Sequence, residues 1–456
     1  MDSPAWSACR LIAGNRWLSR FAPWLAFAAP FAGRAEVPRE WIDSDTGHRV
    51  VRLSDEPGTA SLYFHQWSFT PDGRAVVVTT PHGIALIDHT NRTQQPLISG
   101  DVKIIQLGRR SGDVFFTRTE GAQIAVFVFS LATRTERRLA LLPPRATLST
   151  VNADETLLAG TLTESEPPAG EVFPPNSGAS TQNTPQGEWM KSTDDRARDG
   201  RLFTFAEQKE RRLARRLAAR LPMAIFTVNI ASGELRTVHR STDWLNHLQF
   251  SPADPDQLMF CHEGPWHMVD RLWLVRTDGT ALNKVHTRTM NMEIAGHEFF
   301  SPDGRTVWYD LQTPRGESFW LASYDLATGA RTRLHVERNA WSVHYNVASD
   351  GVRFSGDGGD SEMVAHAPDG KWLYLFRPEP IPDVAELSAP DAAGLIRPGV
   401  LRATRLVNMK AHDYRLEPNA MFTPDGKKLI FRSNLHGEVH VYAVDLAPAT
   451  PTPAGR

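Results

Sequence analysis

The chain has 456 residues, enough to bury a large core, and its 50 basic and 52 acidic residues nearly cancel to a net charge of −2. No global field therefore draws it to nucleic acid or to an anionic membrane surface. Cys9 and Cys261 are the only cysteines, which excludes a disulfide framework and an all-cysteine zinc site.

Residues 1–35 read as an export signal. Arg10, Arg16 and Arg20 supply a basic start, residues 21–31 (FAPWLAFAAPF) an apolar run, and Gly33 and Ala35 the small residues of a cleavage site. That run is too short to span a bilayer, and no other is long and apolar enough. A periplasmic or secreted location is expected, with a cytoplasmic one as the alternative. Residues 36–456 then read as one all-β domain, a class that the 13 tryptophans suit.

Along that domain a turn tag recurs. It reads FTPDG at 69–73, RSGD at 110–113, NADE at 152–155, FSPADP at 250–255, FSPDG at 300–304, ASDG at 348–351 and FTPDG at 422–426. Pro presets φ while Gly or Asp tolerates the tight turn, and a short β run such as AVVVTT or TVWYDL follows. The tag aspartates Asp72, Asp113, Asp154, Asp254, Asp303, Asp350 and Asp425 are spaced by 41, 41, 100, 49, 47 and 75 residues. Most spacings match one four-stranded propeller blade of ~40–50 residues, and the long ones match a blade plus an insertion. Seven tags predict a seven-bladed β-propeller, whose function sits at the channel mouth.

Two insertions interrupt the repeat. The larger, 164–222, begins Pro- and Gly-rich and ends in a predicted helix over 205–221, with Leu213, Leu217 and Leu221 on one face. Arg212, Arg216 and Arg220 form a parallel basic stripe, either a solvated face or a lid that attracts a polyanion. The smaller, 378–400, is Pro- and Ala-rich and is expected to wind over the surface.

Chemistry concentrates at 246–271, NHLQFSPADPDQLMFCHEGPWHMVDR, which holds His247, Gln249, His262, Glu263, His267 and Arg271. Cys261 there reads as a small buried residue ending an apolar run. Other imidazoles precede other tags: His65 with Gln66, His297 with Glu298, His344, and His412 with Asn419. At such positions they lie on or near the strand lining the channel. Several neutral imidazoles with amide oxygens beside them suit a divalent transition metal such as Mn2+.

These residues resemble the oligogalacturonate lyases, a pectin-degrading family of seven-bladed β-propellers. The resemblance is carried by His247-x-Gln249-x-Ser251-Pro252, by FCHEGPWH at 260–267 and by GHEF at 296–299, and it runs from about residue 50 to 446. It implies metal-assisted β-elimination of short 4-linked uronate oligosaccharides, with His247 as the base and Mn2+ held by His297. The family's next run, Gln-x-x-His-x-His, stands here as Asn339, Ser342 and His344. His344 is kept, Asn339 replaces the Gln, and Ser342 replaces the first His. Arg220 is placed at the family's carboxylate-binding arginine. Gln249 and His262 are expected to touch substrate, with Glu263 and His267 as supports. The alternative is a non-catalytic periplasmic propeller that binds sugars or proteins. A propeller-capped serine peptidase is excluded, because the Gly-x-Ser-x-Gly elbow is missing.

Overall fold

A computed structural model describes residues 37–166, 196–197, 199–382, 387 and 389–449, apart from the side chains of Phe205 and Ala206. The expected export signal at 1–35 lies outside these residues.

The tags fold as the sequence demands. In three of them a Thr or Ser hydroxyl donates to the tag aspartate: Thr70 to Asp72 at 2.6 Å, Ser301 to Asp303 at 2.5 Å, Thr423 to Asp425 at 2.6 Å. The same aspartate accepts the amide of Arg74, Arg305 or Lys427 at 3.1 Å. Gly73, Gly304 and Gly426 close these turns at φ 69°, 69° and 63°, where a side chain would be strained. Each turn joins an inner strand to its antiparallel neighbour.

The result is all-β. Four-stranded antiparallel sheets recur, and a five-stranded one pairs the N-terminal strand His48–Arg52 with the C-terminal strand His440–Pro448. The strands Ala60–Ser61, Val102–Leu107, Ala146–Val151, Trp244–Phe250, Ile294–Phe300, Tyr345–Val347 and Met421–Phe422 are the inner edges. Buried polar side chains tie successive inner edges together. Gln66 Nε2 donates to the Ile105 carbonyl at 2.9 Å, Thr150 Oγ1 to Gln106 Oε1 at 3.0 Å, and Gln249 Nε2 to the Glu298 carbonyl at 2.7 Å. Asn346 Nδ2 reaches the Phe64 carbonyl at 2.9 Å and its Oδ1 accepts the Phe422 amide at 3.2 Å. Asn419 Oδ1 accepts the Phe64 amide at 3.1 Å and so brings the last inner edge back to the first. The sheets thus close a cycle, the β-propeller arrangement. Apolar clusters fill the space between neighbouring sheets, for example Leu62, Val77, Ile104 and Phe116.

The larger insertion leaves between the strands Leu157–Thr163 and Met223–Asn229, and its base is pinned by the Glu164 amide on the Pro222 carbonyl at 2.8 Å. Its helix spans Phe205–Ala219, capped by Thr204 in a reciprocal pair with Glu207. The smaller insertion is exposed over most of its described residues, as expected, and its ends join strands. It extends the strands Trp372–Pro380 and Arg397–Asn408, and the latter pairs in parallel with Arg331–Val336, fusing two sheets into eight strands. Backbone pairing with neighbouring strands there carries the chain through Pro378, Pro380 and Pro398. Among the described residues no helix is long and apolar enough to cross a membrane.

Candidate active site

Two histidines occupy the same place in neighbouring sheets. His247 stands three residues ahead of Phe250, and His297 three ahead of Phe300. Each sits where its strand breaks register, between Asn246 and Gln249 or between Gly296 and Phe299. Each is left-handed, at φ 49° and 50°. A bulge re-aims a side chain that the pleat would otherwise fix, and a left-handed non-glycine residue costs of order 1–3 kcal/mol. Asn419, three ahead of Phe422, repeats the device at φ 52°.

His247 Nε2 lies 3.2 Å from Glu263 Oε2. The other oxygen of Glu263 accepts Arg271 Nη1 at 2.6 Å and Trp266 Nε1 at 3.1 Å. Arg271 also donates to Glu298 at 3.2 Å, and its guanidinium covers the Trp266 ring at 4.6 Å. Burial opposes charge on Glu263, yet Arg271 and His247 hold its carboxyl well below the ordinary range. The Trp266 ring edges onto His297 at 4.7 Å and presses on Gly296, where a Cβ would come within 2.7 Å of it. The CHEGPWH run therefore builds the wall between the two histidines.

His344 completes the group from the next sheet. It is buried, with Nδ1 on Asp357 Oδ2 at 2.7 Å and Nε2 on the Tyr63 hydroxyl at 3.1 Å. Phe64 stacks on it at 4.7 Å, and the His297 ring stands 4.7 Å away. Glu417 Oε2 approaches His344 Nε2 to 3.8 Å. Burial, then His344 and Arg271, push the His297 imidazole well below its usual range, so it is neutral. Its Nδ1 is buried without a hydrogen-bond partner.

His297 and Glu417 line a cleft of about 460 Å³. The insertion helix contributes Lys209, Glu210 and Leu213 to one side, Arg315 and Arg415 add positive charge, and Asp360, Glu362 and Asp413 add negative charge. Arg315 is held by Glu210 at 2.9 Å.

One geometric cluster could also hold a metal: His247, Cys261 and Glu263, with ligand atoms within 4.8 Å. Its chemistry is unfavourable. Burial pushes the Cys261 thiol well above its usual range, and Arg271 already neutralises Glu263. His297 and His344, with rings 4.7 Å apart and the His297 Nδ1 unpartnered, offer two imidazole donors but form no group of three ligand atoms within 4.8 Å among the described residues.

Other candidate residues lie apart from this group. Asn339 is exposed on the short 3-10 turn Arg338–Ala340, and its carbonyl accepts the Tyr374 hydroxyl at 2.9 Å. Ser342 is fully buried and donates to the Ala340 carbonyl at 3.4 Å. Arg220 caps the C-terminus of the helix at φ 45°, with its guanidinium on Asp243 and on Thr242 Oγ1 at 2.7 Å. His262 joins that group, 3.5 Å from Asp243, and neither it nor Arg220 lines the cleft. Gln249 is spent on the tie between inner strands described above. His412 is locked between Ser433 Oγ at 2.9 Å and the Leu416 carbonyl at 2.6 Å. The amide oxygens beside the histidines thus hold the ring together.

Sequence reasoning missed Tyr63, Asp357, Glu417 and Lys209. Only the first lies next to residues singled out in the sequence, His65 and Gln66. The others meet the histidines through ring closure and the insertion, which no local pattern records.

Comparisons with known proteins identify the family and the fold. A family model described as oligogalacturonate lyase matches residues 217–450, which include His247, His297, His344 and Glu417. An oligogalacturonide lyase of Pectobacterium atrosepticum is 28% identical over 223 residues, 48% of this chain and 54% of the relative. An oligogalacturonate lyase of Dickeya dadantii is 26% identical over the same shares. The chain thus spans about half the length of the curated relatives it matches. Two solved structures share the fold over 90% of this chain and 96% of theirs. One is an oligogalacturonate lyase in complex with manganese, at a TM-score of 0.67 and 22% identity. The other is an oligogalacturonate lyase from Vibrio parahaemolyticus, at 0.65 and 21%. With more than half its length matched by the family model, the chain belongs to the oligogalacturonate lyase family.

Proposed function

We propose that the protein cleaves short 4-linked uronate oligosaccharides by β-elimination, on a propeller of seven blades. The observation that carries this is the grouping of His247, His297 and His344, from three successive inner edges, beside a cleft that His297 lines together with Lys209, Arg315 and Arg415. Count the fused sheet as two, and seven inner edges give seven blades.

His247 is the base. Its Nε2 proton is held by Glu263, which leaves the Nδ1 lone pair free to take the C5 proton of the uronate. The released electron pair forms the C4–C5 double bond as the C4–O bond breaks, and the departing oxygen takes a proton from solvent. The C5 proton is a weak acid because its loss places a second negative charge beside the carboxylate. His297 and His344 would hold a divalent cation, which when bound supplies Lewis-acid stabilisation of that charge. Lys209, Arg315 and Arg415 attract the polyanion and orient its carboxylates. The neighbour that is described in complex with manganese supports Mn2+ as that cation.

The test is incubation with di- and trigalacturonate, with Mn2+ or with chelator, following the ultraviolet absorbance of the unsaturated uronate. Growth of that absorbance with Mn2+ and its loss with chelator is expected. No growth across several uronate oligomers would overturn the proposal and leave a binding propeller.

A further inference from the structure

We propose that the tag end of the channel is a second binding site, one for a small organic carboxylate, with the Arg109 guanidinium as its anion-binding group. The site stands apart from the elimination chemistry and does not rest on it.

The inner edges enclose a space of about 340 Å³ beside the tags, bordered by Pro252, Pro302 and Pro424. No described residue lines both this space and the cleft of His297. Phe64 forms its wall toward His344, on which it stacks. The two spaces differ in charge. The cleft carries both signs, whereas the described lining of this space holds no carboxylate and one permanent cation, Arg109. His65 lines it too, but burial, then His247 and His344, push its imidazole well below the usual range, so it is neutral.

Arg109 lies just before the RSGD turn and is half-buried. Its guanidinium covers the Trp67 ring at 4.2 Å, and it makes no hydrogen bond or ion pair among the described residues. The backbone sets this stack, because the Leu107 amide donates to the Trp67 carbonyl at 3.3 Å. Removal from water holds the Arg109 pKa down to about 10, with no carboxylate to offset it. Trp67 Nε1 is also buried without a partner. Guanidinium and indole nitrogens only donate, so both lack an acceptor. Four amide oxygens of the lining are already spent. That of Gln66 accepts the Tyr63 amide, that of Gln106 the Thr150 hydroxyl, that of Asn152 the Thr156 and Leu157 amides, and that of Asn346 the Phe422 amide. A ligand that brings acceptors and one negative charge answers both donors, and a carboxylate matches the guanidinium fork. Phe69, Phe250, Phe300 and Phe422 supply apolar walls for its body. A single cation calls for a monoanion, not for a chain of uronates.

The experiment uses the full chain and calorimetry, with benzoate, galacturonate and inorganic phosphate as separate probes. Benzoate should bind with a Kd of about 1 mM or tighter. R109M should weaken it about tenfold or more and leave the rate and KM of elimination unchanged. K209A, on the cleft, should leave benzoate affinity unchanged. Galacturonate separates two sources of such a carboxylate. Galacturonate binding that R109M abolishes identifies a uronate, and benzoate binding without it identifies a non-sugar acid, and either supports the site. No benzoate binding, R109M binding as tightly as wild type, or loss of binding in K209A overturns the proposal. Phosphate bound as tightly as benzoate overturns the organic body. Circular dichroism checks folding. R109K keeps the charge without the planar fork and should bind benzoate more weakly than wild type. If R109M does not fold, R109K decides, and wild-type affinity in R109K overturns the role of the guanidinium.

Discussion

His247 and His297 share a position in the repeat, a bulge and a left-handed backbone, yet their surroundings give them different chemistry. Glu263 takes one ring nitrogen of His247 and is itself anchored by Arg271. Trp266 fills the corresponding side of His297 with an aromatic edge, and the His297 Nδ1 has no hydrogen-bond partner among the described residues. The backbone device delivers an imidazole to the channel. On the proposed reading, the wall between the sheets decides whether that imidazole serves as a base with a charged brace or as a neutral ligand with a bare nitrogen. The same strained geometry twice over indicates that the aim of the side chain is what the fold protects.

The largest effect expected from breaking this pair is kinetic. H247A should lower the elimination rate by about 10²–10⁴-fold and leave Mn2+ affinity intact. H297A should do the reverse at the binding step, weakening Mn2+ by at least about tenfold, with activity partly recovered at high Mn2+. Steady-state rates and Mn2+ titrations on both variants check this. If both lose metal, or both keep it, the division of roles fails.

Next in size is the brace. Arg271 is fully buried between Glu263 and Glu298. R271M leaves two carboxylates facing each other without a cation, and removing one partner of a buried pair costs about 3–5 kcal/mol. Denaturant unfolding should show that loss, and the His297 side should keep its Mn2+ affinity if the chain still folds. A loss under about 1 kcal/mol would mean that the carboxylates are already solvated and that His247 is not rigidly braced.

A third test contrasts these histidines with one that resembled them in sequence. His412 precedes its tag as the others do, but both its nitrogens are engaged, and burial holds its pKa down to about 4. The unfolded chain binds a proton at this residue below about pH 6.5, and the native chain only near pH 4. Stability therefore falls as pH drops between those values, by about 3 kcal/mol for this one group. H412N should flatten that part of the stability profile, as read by thermal melts from pH 7 to pH 4, and leave elimination at neutral pH unaltered. An unchanged profile would show that His412 is protonated in the native chain.

The difference between His412 and His297 also marks how far the sequence could be read. Turn tags, the helix at Phe205–Ala219 and the equivalence of His247 with His297 were legible because each depends on residues close in the chain. Partners contributed by another sheet were not. Gln249 looked like a substrate contact, yet it meets the Glu298 carbonyl of the next sheet, and only the closed ring brings that carbonyl near. Asp357 and Glu417 carry no tag of their own and reach His344 across separate turns of the chain. Residues 378–400 read as surface winding because composition cannot show that a parallel partner, Arg331–Val336, is waiting beside them.

The smallest effect belongs to Arg220, and it is the sharpest test of which side of the helix faces substrate. Position 220 is left-handed at φ 45°, a conformation that glycine adopts without strain. Its guanidinium is half exposed and occupied by Asp243 and Thr242, an arrangement worth about 0–1 kcal/mol at a surface. R220G removes that pair and relieves the backbone, so the two terms nearly cancel and stability should move by less than about 1 kcal/mol. Because Lys209, about three turns earlier on the helix, lines the cleft and Arg220 at its C-terminus does not, KM for uronate oligomers should rise for K209A and stay level for R220G. A rise for R220G of about tenfold or more, equivalent to about 1.4 kcal/mol of binding, would mean that Asp243 releases Arg220 to a substrate carboxylate. The cationic side of the cleft would then extend along the whole helix, and the wall that separates His247 from His297 would be part of a longer binding groove.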